Sequence, residues 1–210
     1  DEIVITNSCT EALGLCLRAV TQPGDTVAVE SPAYYLMLQL LETLGLKALE
    51  IPTDPRTGVS VEALDLATRD GRVAACLLVP NASNPLGSVM PDEKKRLLAA
   101  LTAARGVPVI EDDIYGDLHF GSQRPWPIKA FDRAGNVLLC SSFSKSLSPS
   151  LRIGFVAAGR YRPALALQKT ITSGGTNPIT QHVLAEYLES GAYERLLRGL
   201  RRSYERQVEG

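Results

Sequence analysis

Residues 137–158 read Val137-Leu-Leu-Cys140-Ser-Ser-Phe-Ser-Lys145-Ser-Leu-Ser-Pro-Ser-Leu-Arg152-Ile-Gly154-Phe-Val-Ala-Ala158. Two apolar runs, Val137–Cys140 and Ile153–Ala158, bracket a serine-rich link. Continuous apolar runs of this length are typical of strands covered on both faces. The link is too short for a crossover helix, so a loop that reverses direction is the natural solution. One antiparallel strand in the sheet is therefore expected. Lys145 follows Ser141, Ser142 and Ser144 just beyond a strand end. An amine placed there among small hydroxyls can serve as a Schiff-base lysine. Taken alone, such a lysine is more often an ordinary solvated residue. Arg152 precedes the second run and can return to the same place, where its fork suits a phosphate.

Working outward, further strands read at Ile3–Ile5, Thr26–Glu30, Leu46–Ile51, Ala74–Val79 and Val107–Glu111. Helices read at Glu11–Val20 with Thr10 as cap, at Tyr34–Leu44, at Val61–Arg69, and from Pro91 to a stop at Gly106. In the helix after Pro91, Leu97, Leu98 and Leu101 form one side, with Lys94, Lys95 and Arg96 nearer solvent. Three late helices lie near Pro163–Thr172, Thr180–Ser190 and from Tyr193 onward. Strands alternating with helices argue an α/β fold around a mainly parallel sheet.

The 210 residues suffice for one sizeable core. Net charge is −1, which gives no reason to expect a nucleic-acid surface within these residues. Cys9, Cys16, Cys76 and Cys140 form no metal-ligand spacing with His119 and His182, so no metal is expected. The thiols read as buried and free, which suits a reducing compartment. No long apolar run suggests a membrane span, and a cytoplasmic protein is expected. The chain opens directly on a strand and closes inside a charged helix, so both ends of the natural domain are expected to lie outside it.

Open α/β sheets bind ligands outside the carboxyl ends of their strands. Four polar clusters sit at such ends: Asn7–Thr10, Asn81–Gly87, Asp112–Asp113 and Ser141–Lys145. One would mean little, but four suggest a single crevice. Ser8, Cys9 and Thr10 offer hydroxyls, N–H groups and a helix N-terminus, a phosphate cradle or simply a cap. Asp112 can hold a protonated ring nitrogen, or cap a turn. Tyr115 lies three residues on and shares a side with Asp112 if a helical turn forms. On that reasoning Asp113 is expected to point to solvent or to a cap.

The segment Ser141–Gly154 resembles the lysine region of class I/II aminotransferases, which use pyridoxal 5'-phosphate (PLP). Asp112-Asp-Ile-Tyr115 resembles that family's pair for the pyridine nitrogen and the ring 3'-oxygen. Asn84-Pro-Leu-Gly87 resembles its Asn-Pro-x-Gly motif, and Tyr34 matches the aromatic that stacks on the ring. More narrowly, Thr6–Leu13, Glu111–Gly121 and Cys140–Lys145 resemble the C-terminal half of MocR-type regulators of the GntR family. The neighbouring 2-aminoadipate aminotransferases look similar in these stretches.

The resemblance implies a three-layer α/β/α fold of fold type I. It implies a large PLP-binding domain over residues 1–192, with 193–210 starting a helix toward a small C-terminal domain. PLP would be held by Lys145, Asp112, Tyr115, Tyr34, Asn84, Arg152, Ser142, Ser144 and the Ser8–Cys9–Thr10 loop. Lys145, Asp112 and Tyr115 would carry the chemistry. Many relatives have glycine where this chain has Ser8, and the cradle is expected to survive unless that position needs a positive φ. Implied partners are a second copy in a homodimer, an amino acid or amine, and DNA through an N-terminal helix-turn-helix outside this chain. Leu36, Leu40 and Leu44 form a helical face suited to the dimer. Two functions stay open: an effector-sensing domain of a transcription regulator, and a free-standing aminotransferase.

Overall fold

The computed structural model describes residues 2–209. Eight strands form one sheet: β1 (Ile3–Thr6), β2 (Thr26–Ser31), β3 (Lys47–Asp54), β4 (Gly58–Val59), β5 (Val73–Leu78), β6 (Val109–Asp112), β7 (Val137–Ser142) and β8 (Gly154–Ala157). Their spatial order is β1-β8-β7-β6-β5-β2-β3-β4. The pairs β7–β6, β6–β5, β5–β2 and β2–β3 are parallel. β8 runs antiparallel to both β7 and β1, as the short link before it requires. β4 adds a further antiparallel pairing, against β3, where the sequence suggests only turn chemistry.

The helices are α1 (Cys9–Val20), α2 (Tyr35–Thr43), α3 (Val61–Ala67), α4 (Asp92–Arg105), α5 (Arg162–Ser173), α6 (Pro178–Glu189) and α7 (Ala192–Glu209). They cover both faces of the sheet, and the period of two along each strand decides which residue faces which layer. Val27, Val29, Ala75 and Leu77 join a core with Leu13, Cys16 and Leu17 of α1, Met37 and Leu41 of α2, and Leu165 of α5. The intervening Ala28, Cys76 and Leu78 face a second core with Leu64 of α3 and Leu98 and Ala99 of α4.

Three local expectations need correction. Ser8, not Thr10, caps α1: its Oγ accepts the N–H of Glu11 at 3.1 Å. Pro91 is the N-cap of α4 rather than its first helical residue. Lys95 is fully buried while Leu97 is exposed. The inner face of α4 follows the i, i+3, i+4, i+7 spacing of Lys95, Leu98, Ala99 and Thr102. The amine is satisfied inside, donating to Asn81 Oδ1 at 2.8 Å and to the Trp126 carbonyl at 2.6 Å.

Gly154 fixes how β8 meets the start of α1. A Cβ there would lie 2.7 Å from the Ser8 carbonyl carbon, 2.8 Å from Ser141 O and 2.9 Å from Thr6 Oγ1. Two of these are backbone atoms that cannot swing aside. Gly154→Ala is expected to destabilise the domain by about 1–3 kcal/mol, as overpacking does. Thermal unfolding monitored by circular dichroism checks this; an unchanged midpoint would mean that the contact relaxes freely.

Candidate functional site

The polar clusters at the strand ends converge. One cavity of about 250 Å³ is lined by Ser8, Cys9, Thr10, Tyr34, Asn84, Asp112, Tyr115, Ser142, Ser144, Lys145 and Arg152, together with apolar residues such as Val79 and Ile114. Every residue singled out from the sequence as a cofactor ligand is in that wall. They come from the ends of β1, β2, β5, β6 and β7 and from the loop before β8.

At one end of the cavity stands the N-terminus of α1. The N–H groups of a helix's first turn have no intrahelical acceptor and carry the positive end of its dipole. Ser8 has φ −179°, an extended conformation that serine adopts freely, so the missing glycine costs nothing here. Ser142 and Ser144 approach from the β7 side, with Ser144 N–H 3.4 Å from Ser142 Oγ. Arg152 completes this end. Its backbone is left-handed, with φ 52° and ψ 48°, a conformation that costs a non-glycine residue about 1 kcal/mol or more. N–H donors, hydroxyls and a guanidinium together suit a phosphate.

Two aspartates follow one another at the end of β6; only Asp112 borders the cavity, and their free valences separate them. Asp112 Oδ1 accepts from Cys9 Sγ at 3.3 Å and from the Ile114 N–H at 3.1 Å. Its Oδ2 makes no hydrogen bond among the described residues, and Asp112 borders the cavity. Burial raises its pKa to about 6, against the two hydrogen bonds that favour the charged form. Asp113 is spent on the fold. Asn81 Nδ2 donates to its Oδ1 at 2.9 Å, and Arg124 pairs with its Oδ2. It is buried, not turned to solvent as expected. Its pKa is raised by burial, with Arg124 opposing.

Lys145 is exposed, and its Nζ sits 5.9 Å from the centre of the Tyr115 ring. Tyr34 meets Tyr35 edge-on, with centroids 4.9 Å apart. Asn84, Tyr115 and Lys145 also border a second, larger cavity of about 750 Å³. The two cavities therefore meet at these side chains, giving Lys145 access to a second molecule beside whatever fills the first.

Several polar residues have partners that a reading of the sequence does not reveal. Asn81 bridges Lys95 and Asp113. Arg124 joins Asp113 to Asp117, the latter at 2.7 Å. Glu30, at the end of β2, accepts the Val79 N–H through Oε2 while its Oε1 is buried without a partner; burial raises its pKa to about 8. The strand-end rule could have found Glu30. Nothing local marks Arg124.

The cavity fits pyridoxal 5'-phosphate: an anion cradle at one end, an open carboxylate oxygen at the other, and an amine and aromatic rings between. Among the described residues no group of His, Cys, Asp and Glu could hold a metal ion, and no helix is long and apolar enough to cross a membrane.

Residues 1–206 match the profile of a family described as aminotransferase class I and II. An Escherichia coli K12 protein described as the uncharacterized HTH-type transcriptional regulator YjiR is 47% identical over 208 residues, covering 99% of this chain and 44% of that protein. The 2-aminoadipate transaminase of Thermus thermophilus is 32% identical over 217 aligned residues, covering 100% of this chain and 53% of that protein. Among solved structures, Pyrococcus horikoshii kynurenine aminotransferase in complex with PMP superposes with a TM-score of 0.90 at 31% identity, covering 99% of this chain and 52% of that one. The chain spans about half the length of the curated relatives it matches.

Proposed function

Because the chain belongs to the class I and II aminotransferase family, we propose that its cavity binds pyridoxal 5'-phosphate and that the domain is the effector-sensing part of a MocR-type regulator of the GntR family. The observation that carries the regulator reading is the higher identity to an HTH-type regulator than to a transaminase, over nearly the same residues. On this reading the DNA-binding module lies outside these residues, the ligand is an amino acid or amine, and the complete protein is a cytoplasmic homodimer. Of the expected helical face, Leu36 is exposed on α2, whereas Leu40 and Leu44 are half-buried against the core. Residues 1–192 would be the large domain, with 193–210 leading to a small one.

Bound in this cavity, the cofactor supplies an electron sink for bonds at the ligand's α-carbon. Lys145 supplies the amine that attaches it and can carry a proton at Nζ. Asp112 Oδ2 would accept the hydrogen of the ring nitrogen and keep that nitrogen protonated. Tyr115 and Asn84 would donate to the ring 3'-oxygen, and Tyr34 would shield the ring from water. Arg152, Ser142, Ser144, Ser8 and the N–H groups of Cys9 and Thr10 would hold the phosphate.

The free-standing aminotransferase is the second reading, favoured by the large cavity beside Lys145 and by the transaminase relative. One experiment separates the two. Operator DNA affinity of the full-length protein is measured with PLP, without it, and with PLP plus a panel of amines and amino acids, at one salt concentration. The regulator reading expects a several-fold change that vanishes in Lys145→Ala, since a ligand shifts a two-state protein only by its differential affinity. Rapid multiple-turnover amino transfer to a 2-oxo acid without specific DNA binding would leave the enzyme.

A further inference from the structure

Cys9 is the first residue of α1, and its side chain turns inward, 4% exposed. Its Sγ and Asp112 Oδ1 join positions 103 residues apart. The Ile114 N–H reaches the same oxygen. Two donors on Oδ1 fix the plane of the carboxyl group and leave Oδ2 for the cavity. A thiol is a weak donor, and it donates only while it keeps its proton. Burial, and then the charge of Asp112, push the Cys9 pKa well above the ordinary thiol range. Cys9 therefore keeps its proton, and remains a donor, throughout the range in which Asp112 titrates.

We propose that Cys9 is a positioning residue for Asp112: its S–H holds Oδ1, so that Oδ2 stays ionised and aimed at the ring nitrogen of the cofactor. The role toward the cofactor rests on the function proposed above; the contact itself does not. Other groups also bear on Asp112. The adjacent Asp113 opposes its charge, whereas Glu30 from β2, its own pKa raised to about 8, is neutral where Asp112 titrates. Cys140 from β7 faces it as a neutral thiol, and Lys145, Arg152 and Tyr115 share its cavity. Replacing Cys9 changes the hydrogen bonding of Oδ1 while leaving all of these charges in place.

The test has two parts, both on the full-length protein. In the cofactor-free state, the infrared S–H stretching band of Cys9, assigned by its loss in Cys9→Ser, is followed with pH. It is expected to shift with a midpoint near 6 as Asp112 takes up its proton. A band that ignores pH overturns the proposal, whether or not the protein binds cofactor. Next, PLP affinity is titrated between about pH 5 and 8 for wild type, Cys9→Ser and Cys9→Ala. The hydroxyl keeps a donor, so Cys9→Ser should retain the wild-type midpoint. Cys9→Ala should lose affinity at a pH higher by about one unit, the size of one charge-assisted hydrogen bond. Equal shifts in both variants would indicate a packing role, and no shift in Cys9→Ala would indicate no role; either overturns the proposal. Failure of the wild type to bind PLP would instead remove the cofactor reading, leaving the infrared titration to decide the contact.

Discussion

Lys145→Ala is expected to leave no PLP fixed to the protein after borohydride reduction, with the fold unchanged. Among the described residues, Lys145 is the one lysine bordering either of the two adjoining cavities. Lys95, the buried alternative, has its amine engaged by Asn81 and the Trp126 carbonyl. Lys145 makes no hydrogen bond or ion pair among the described residues, so truncating it removes reactivity without removing support. Mass spectrometry of the reduced protein reads the attachment, and thermal unfolding reads the fold. Residual fixed cofactor on Lys145→Ala would show that another amine does the work and would end the assignment.

The second large effect separates neighbouring carboxylates. Asp112→Asn is expected to weaken PLP binding by about tenfold to a hundredfold, the equivalent of a hydrogen bond to a charged group, roughly 1.5–3 kcal/mol. Its stability should change little, because the amide can retain the contacts at Oδ1. Asp113→Asn should do the reverse. It removes the charge between Arg124 and the Asn81–Lys95 cluster, and breaking a buried pair costs about 3–5 kcal/mol. Arg124 is partly exposed, so the lower end of that range or less applies. The pH dependence follows from Asp112. Its pKa in the cofactor-free fold is raised to about 6, so below that value it is protonated and cannot accept the hydrogen of a protonated ring nitrogen. Wild-type PLP affinity should therefore fall as pH drops through about 6, and Asp112→Asn should lose that acid limb. Larger loss of affinity in Asp113→Asn than in Asp112→Asn would reverse the assignment.

That these residues gather in one cavity was legible in part because Ser8–Thr10, Asp112, Ser142, Ser144 and Lys145 stand at or just after strand ends, where polar groups have few structural reasons to gather; Tyr34 and Asn84 came from the family resemblance. The fold was legible for a related reason. Residues such as Ala75–Leu78 are apolar at every position, as a short strand covered on both faces requires, and the family resemblance supplied the rest. What stayed hidden depends on contacts distant in sequence. Asp113 reads as a turn residue until Arg124 and Asn81 are placed beside it, 11 and 32 positions away. Lys95 sits in a run of three cations that looks solvated, and only the helix phase set by Leu98 and Thr102 turns it inward. Ser8 and Thr10 carry equivalent hydroxyls, so the cap between them is decided by backbone geometry that the sequence does not display. The two residues of β4 are too few to carry a pattern.

The position of β1 bears on how the domain is made. This strand precedes all the others in the chain, yet it lies at the sheet edge and pairs with β8, residues 3–6 against 154–157. At synthesis rates of about 5–20 residues per second, it waits on the order of ten seconds for its partner to emerge from the ribosome. During that time Leu13, Leu15 and Leu17 of α1 lack the β8 side of their core. The anion cradle joins Ser8, Cys9 and Thr10 to Ser142, Ser144 and Arg152, so its two halves leave the ribosome far apart in time and it takes shape only once both are present.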